Sequence, residues 1–342
     1  MTYRVLQLLL TLLLVPTIAP PASAADPCPL LRAQTQAPDT ATRIAAIACD
    51  EHQLWYRPFI DRDGRLAGST VREAEAALLA NGEQAWRRVA GYWRDSGQLV
   101  AAAGRPGAGE CAYAATSTGG SPECRAFVVD TPWSATFVSW VLQRARLRGF
   151  QGSPSHVSYV RTAYRDPQAS AYRVADPRAV RPAAGDLLCS VRASAHIFGF
   201  GGLASLLAGS DEGLGMHCDI VAAVDPQRDG TAYLVGGNVL DGVTMRLLPL
   251  TPGGQFRDLP QRALDDAACS PDAPAACNAN RQDWAVLLQL RPAAELATLA
   301  PAPPMRTDGA QPPSATGCCV ICIVGAGVPR CPSPAAGVAP VR

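Results

Sequence analysis

Three stretches of this chain combine residue types that can do nucleophilic chemistry. The first is Pro132-Trp133-Ser134-Ala135-Thr136-Phe137-Val138-Ser139-Trp140. The second is Gly185-Asp186-Leu187-Leu188, followed by His217-Cys218-Asp219-Ile220-Val221. The third is Gly236-Gly237-Asn238-Val239. Ser134 falls in the first turn of a predicted helix, where unpaired backbone N–H groups and the positive dipole end favour an anion. His217 opens a predicted strand and can act as a general base. Asn238 ends a neighbouring strand and can orient the imidazole through its side-chain carbonyl. Nucleophile, base and orienter together follow triad logic. Trp133, His156 and Asp219 are taken as binding residues beside them; His156 precedes Tyr159 on a predicted helix and can line the same groove. Each residue also has a plain structural reading: a first-turn serine, a strand-edge histidine, a turn asparagine.

Other chemistries are excluded or weak. All 30 basic residues are Arg, so a P-loop lysine, a Schiff-base lysine and a Ser-Lys dyad are impossible. There is no G-x-S-x-G elbow, HExxH or dinucleotide fingerprint. Gly199–Gly202 lacks the strand-helix context of a phosphate loop. Asp61-Arg62-Asp63-Gly64 reads as a turn, too short for a calcium loop. A net charge of +1 points to no nucleic-acid partner. No cofactor or metal is expected.

The chain has 12 Cys, a set that reads first as disulfides in an oxidising compartment. Cys111 with Cys124 and Cys269 with Cys277 are plausible staples, and Cys28 with Cys49 can tie the N-terminal arm to the first helix. Neighbours on a strand point to opposite faces, so Cys218 turns away from the side His217 uses. It reads as a buried thiol or the partner of Cys189, not as a nucleophile. In the tail, Cys318, Cys319, Cys322 and Cys331 read as paired disulfides before zinc ligands.

The elements that must position these residues follow from periodicity and caps. A helix is predicted from Thr40 to about Trp55, and two more over 70–80 and 83–95. Residues 101–123 read as loop. Thr131 and Pro132 suit the cap and first position of the helix that carries Ser134. Strands are predicted at Asp186–Val191, Cys218–Val224, Ala232–Val235, Val243–Leu248 and Trp284–Leu290. A Gly-rich insert, Ala193 to Met216, reads as a lid or a simple loop. Helices first and strands afterwards indicate an α+β domain.

The organisation expected is a signal peptide at 1–24, a helical region at 25–100, the main domain at 101–295, an Ala/Pro-rich linker at 296–316 and a cysteine-bearing tail at 317–342. Arg4, the apolar run Val5–Val15 and Ala22-Ser23-Ala24 make the export signal. The run is too short for a membrane anchor. The expected location is exported, periplasmic or extracellular.

The same three pieces resemble the papain-like amidase superfamily of bacteria, the CHAP and NlpC-type domains. Pro182-Ala183-Ala184-Gly185-Asp186 matches its Pro-x-x-Gly-Asp strand, and His217 to Val221 its His-x-x-Ile-Val strand. Pro-Trp-Ser-Ala-x-Phe with His-Cys-Asp-Ile-Val and Gly-Gly-Asn-Val more closely resembles the bacterial domain of unknown function 2272, over residues 83–292. The resemblance implies a papain-like fold, with N-terminal helices packed on a small antiparallel sheet. It also implies an amide hydrolase acting on peptidoglycan or an envelope peptide, with Ser134 as nucleophile, His217 as base and Asn238 as orienter. Ser134 stands where the better-known amidases have Cys. The site is then either a serine hydrolase or an inert binding module.

Overall fold

A strand buried along nearly its whole length needs cover on both faces, and residues 216–223 have it. The computed structural model describes residues 26–68, 71–75, 77–115, 121–210, 213–303 and 305, and the backbone of 321–322 and 329–330. The export signal and most of the tail lie outside the described residues.

The strands are β1 (Phe59–Ile60), β2 (Leu66–Ala67), β3 (Tyr172–Ala175), β4 (Leu187–Val191), β5 (Met216–Val224), β6 (Thr231–Val239), β7 (Gly242–Pro249) and β8 (Asp283–Leu290). They form one sheet in the order β2-β1-β7-β6-β5-β4-β8-β3, and β9 (Ile321–Cys322) pairs separately with β10 (Pro329–Arg330). The sheet expected was small and antiparallel. It has eight strands and is mixed, because β1 runs parallel to β7. The predicted strands become β4 to β8. β1, β2 and β3 have only two to four residues each, too short to show a period.

Nine α-helices lie among the described residues: α1 (Cys28–Leu31), α2 (Thr40–Leu54), α3 (Ala85–Asp95), α4 (Ala108–Cys111), α5 (Pro122–Asp130), α6 (Ser134–Arg144), α7 (His156–Arg165), α8 (Gly199–Ala208) and α9 (Ala293–Leu296). Asp39 caps α2 by accepting Thr42 N–H at 2.8 Å. The helix expected over 70–80 is absent from its described residues, which form turns and a bridge from Leu78 to Gln84. The stretch expected as loop holds α4 and the start of α5. Thr131 and Pro132 do not open the helix that carries Ser134. Thr131 closes α5, Trp133 takes the cap position, and α6 begins at Ser134. The Gly-rich insert contains α8, whose first N–H groups at Phe198 and Gly199 donate to Asp283 at 2.8 and 2.9 Å.

α2 and α6 lie on β5 and β6. Their apolar faces and Val235, Val243 and Met245 form the main core. The other face buries Val221, Leu234, Leu248 and Trp284 beneath Leu250, Phe256 and Leu259 of the chain after β7. Among the described residues four disulfides close the frame: Cys28–Cys49, Cys111–Cys124, Cys189–Cys218 and Cys269–Cys277. Cys218 is therefore bonded to Cys189 on the neighbouring strand, one residue from His217.

α6 reaches the sheet only because β6 offers glycine. A Cβ at Gly237 would lie 2.5 Å from Phe137 Cβ, closer than packed carbons allow. Gly237→Ala is expected to cost about 1–3 kcal/mol by forced repacking. Urea unfolding checks it: an unchanged midpoint would mean that the helix seat is loose.

Candidate active site

Ser134 is the first residue of α6, and Phe137 N–H is the first amide to turn back, reaching Trp133 C=O at 2.8 Å. The amides of Ser134, Ala135 and Thr136 are thus free of helical partners. Ser134 Oγ lies 2.7 Å from His156 Nε2. His156 opens α7 and places its other nitrogen, Nδ1, against the Tyr159 hydroxyl one turn along. The ring of His217 meets that of His156, edge to face, at 5.4 Å between centroids. His217 in turn holds Asp219 Oδ1 through Nε2 at 2.7 Å.

Asp219 is two residues from His217 on β5, so both project from one face. Its second oxygen accepts Arg246 Nε of β7 at 2.9 Å, and Arg246 also donates to Asn280 Oδ1 at 2.8 Å. A Cβ at Gly236 would stand 2.0 Å from Asp219 Oδ1, so the carboxylate needs a glycine beside it. Burial alone would raise the Asp219 carboxyl. His217 and Arg246 outweigh burial and hold it well below the usual carboxylate range.

Burial lowers both imidazoles. His156 falls well below its ordinary value, pushed further by His217 and Arg192, and His217 falls less because Asp219 favours its charged form. Both are neutral at physiological pH. A carboxylate only accepts, so His217 Nε2 carries the proton and Nδ1 the lone pair; that Nδ1 is buried without a partner.

The residues chosen from sequence distribute unevenly. Ser134, His156, His217 and Asp219 come together. The Ser134 hydroxyl pairs with His156, not with His217 as expected. Asn238 does not hold an imidazole. Its backbone is left-handed (φ 54°). With the amide turned to satisfy both ends, its nitrogen donates to Glu73 Oε2 and its oxygen accepts Trp133 N–H, each at 3.1 Å. The partner of His217 is Asp219, whose expected role is in binding. Trp133 lines no groove: it is fully buried, stacked on Trp55 and Tyr92, with Nε1 donating to Glu73 Oε2 at 2.6 Å.

Tyr159, Arg246 and Glu73 were missed. The first had a signal in the i, i+3 spacing His156-x-x-Tyr159 on a predicted helix. The i, i+2 spacing of His217 and Asp219 likewise marks a shared face. Nothing local marks Arg246 or Glu73, which arrive from distant parts of the chain.

Residues 80–290 match the family model described as "Uncharacterized protein conserved in bacteria (DUF2272)". The chain belongs to this family. The match covers all of these site residues except Glu73. No curated protein and no solved structure matches the chain. In this DUF2272 protein no helix among the described residues is long and apolar enough to cross a membrane.

The Glu73 clamp on the residue before Ser134 gives a pH test. Burial raises the Glu73 carboxyl to about 7, against hydrogen bonding from Trp133. The unfolded carboxyl releases its proton near 4.5. Folding therefore takes up a proton between these values, and this group's contribution weakens as pH climbs through that window. The full shift is on the order of 3 kcal/mol. Glu73→Gln keeps an oxygen acceptor and removes the titration. Its melting temperature relative to the parent should rise between pH 5 and pH 8; a difference independent of pH would contradict the assignment.

Proposed function

We propose that this protein is an exported serine hydrolase of papain-like type that cleaves amide bonds in cell-wall peptide. The observation that carries the reading is the 2.7 Å contact from Ser134 Oγ to a neutral, buried His156 Nε2 at the start of a helix. A serine hydroxyl cannot be ionised in advance as a thiol can, so it needs a base in contact with its proton.

In the productive tautomer, His156 Nδ1–H donates to the Tyr159 oxygen, and Nε2 accepts from Ser134. Ser134 Oγ attacks the carbonyl carbon as its proton passes to His156 Nε2. The oxyanion forms near the free amides of the first turn of α6. Collapse breaks the C–N bond, the leaving amine takes the proton from His156, and an acyl-serine ester remains. Water then adds to the ester carbonyl, giving its proton to His156. The C–O bond breaks and Ser134 recovers the proton. His217, held by Asp219 through Nε2, keeps its Nδ1 buried and unpartnered.

Export is supported by the residue pattern of the first 24 positions and by the four disulfides, which suit an oxidising compartment. The papain-like assignment is supported by the order of the pieces, a serine at a helix start followed by a histidine strand, with the difference that the base in contact with Ser134 stands on a helix. A second reading, a binding module with an idle site, is favoured by cover: Ser134 is 5 % exposed and both histidines 3 %.

Peptidoglycan digestion, read by mass spectrometry, separates the two. The mature protein should release peptide fragments, and Ser134→Ala and His156→Ala should each slow release by about 10²–10⁴-fold. A fluorophosphonate should label Ser134 in the parent chain. No fragments and no labelling would favour the binding module.

A further inference from the structure

From the placement of one cation we infer that the ligand of the Ser134 site carries a carboxylate and that Arg192 binds it. The inference rests on the hydrolase reading for its reaction, but not for its binding. β4 and β5 pair with Ser190 opposite His217 and Val191 opposite Met216. Arg192 follows, its N–H donating to Gly215 C=O at 2.8 Å. Opposed residues share a face, and every second residue of a strand returns to it. Ser190, Arg192, His217 and Asp219 therefore project from the same face of this ribbon. Opposite Arg192 stands Gly215, which presents no side chain there.

Arg192 is exposed while His217 and Asp219 are buried, so it sits at the solvent end of the file. Its charge is felt by His156, His217 and Asp219. Among the described residues its guanidinium has no hydrogen-bond or ion-pair partner. The obvious acceptors are already engaged. Asp219 gives one oxygen to His217 and the other to Arg246. Asp283, on the strand flanking β4, lies opposite Val191, so it projects from the other face. It is committed to the amides of Phe198 and Gly199. With both histidines neutral, the file holds two guanidinium groups and one carboxylate. A surplus cation with a free planar fork matches a carboxylate, which it can take through two parallel N–H···O bonds.

Two acetyl esters test the preference: 4-acetoxybenzoate and its methyl ester. Parent kcat/KM should favour the anion by about 10- to 100-fold, the worth of a hydrogen bond between charged groups. Arg192→Gln should bring the ratio towards one, and Arg192→Lys should retain part of it. Ser134-dependent cleavage of both esters at a ratio near one would overturn the role of Arg192 and leave the hydrolase reading standing. If neither ester is cleaved, these esters give the hydrolase reading no support, and calorimetry decides the rest. In that measurement 4-acetamidobenzoate should bind the parent chain more tightly than 4-acetamidobenzamide, with the difference gone in Arg192→Gln. Equal binding of the two amides, or no binding of either, would overturn the inference.

Discussion

One buried carboxylate organises the site. Asp219 is 1 % exposed, and an unpaired charge at such depth costs several kcal/mol. Its two oxygens are divided between His217 and Arg246. That division fixes more than charge. It sets the protonated nitrogen of His217, holds the ring against Asp219, and ties β5 to β7 across β6. Gly236 lies between them because any side chain there would occupy the space of the carboxylate. The Cys189–Cys218 bond, next to the Ser190–His217 pair, holds the same two strands covalently.

Ser134 is fixed by a different device. The start of α6 is fastened at Trp133, whose indole and backbone N–H reach Glu73 and Asn238. Gly237 brings the helix close to β6 one residue before Asn238. Helix and histidine strand are therefore located by consecutive residues of one strand. Gly236 receives Asp219, Gly237 receives Phe137, and Asn238 receives Trp133. Small or specific side chains in this run make the sheet and the helix meet at one place.

The cover over the reacting atoms separates hydrolysis from binding without turnover. Electrostatic effects are strengthened at that depth, but hydrolysis needs substrate and water to reach Ser134, whereas binding without turnover does not. Arg192 stands where that closed file reaches the surface, which is where a charged ligand group first arrives.

Local sequence determined a good deal. Period and caps located α2 and α3, and apolar strand-forming runs between turn signals located the five long strands, which are buried on both faces; the helix that carries His156 was expected without bounds. Types and spacing picked out Ser134, His156, His217 and Asp219. The pairs Cys28–Cys49, Cys111–Cys124 and Cys269–Cys277 were among the sequence's candidates, and Cys189–Cys218 stood beside the alternative of a free buried thiol; the connectivity itself came from the structure. Tertiary structure alone decided who touches whom. Asn238 has the chemistry of an orienter, but a left-handed backbone at the end of β6 aims it at Glu73 and Trp133. Asp219, two residues along the same strand, reaches His217 instead. His156 reaches Ser134 because the first residues of α6 and α7 meet. Such contacts depend on distances between segments far apart in the chain, set by strand order and register, which residue type and spacing do not encode.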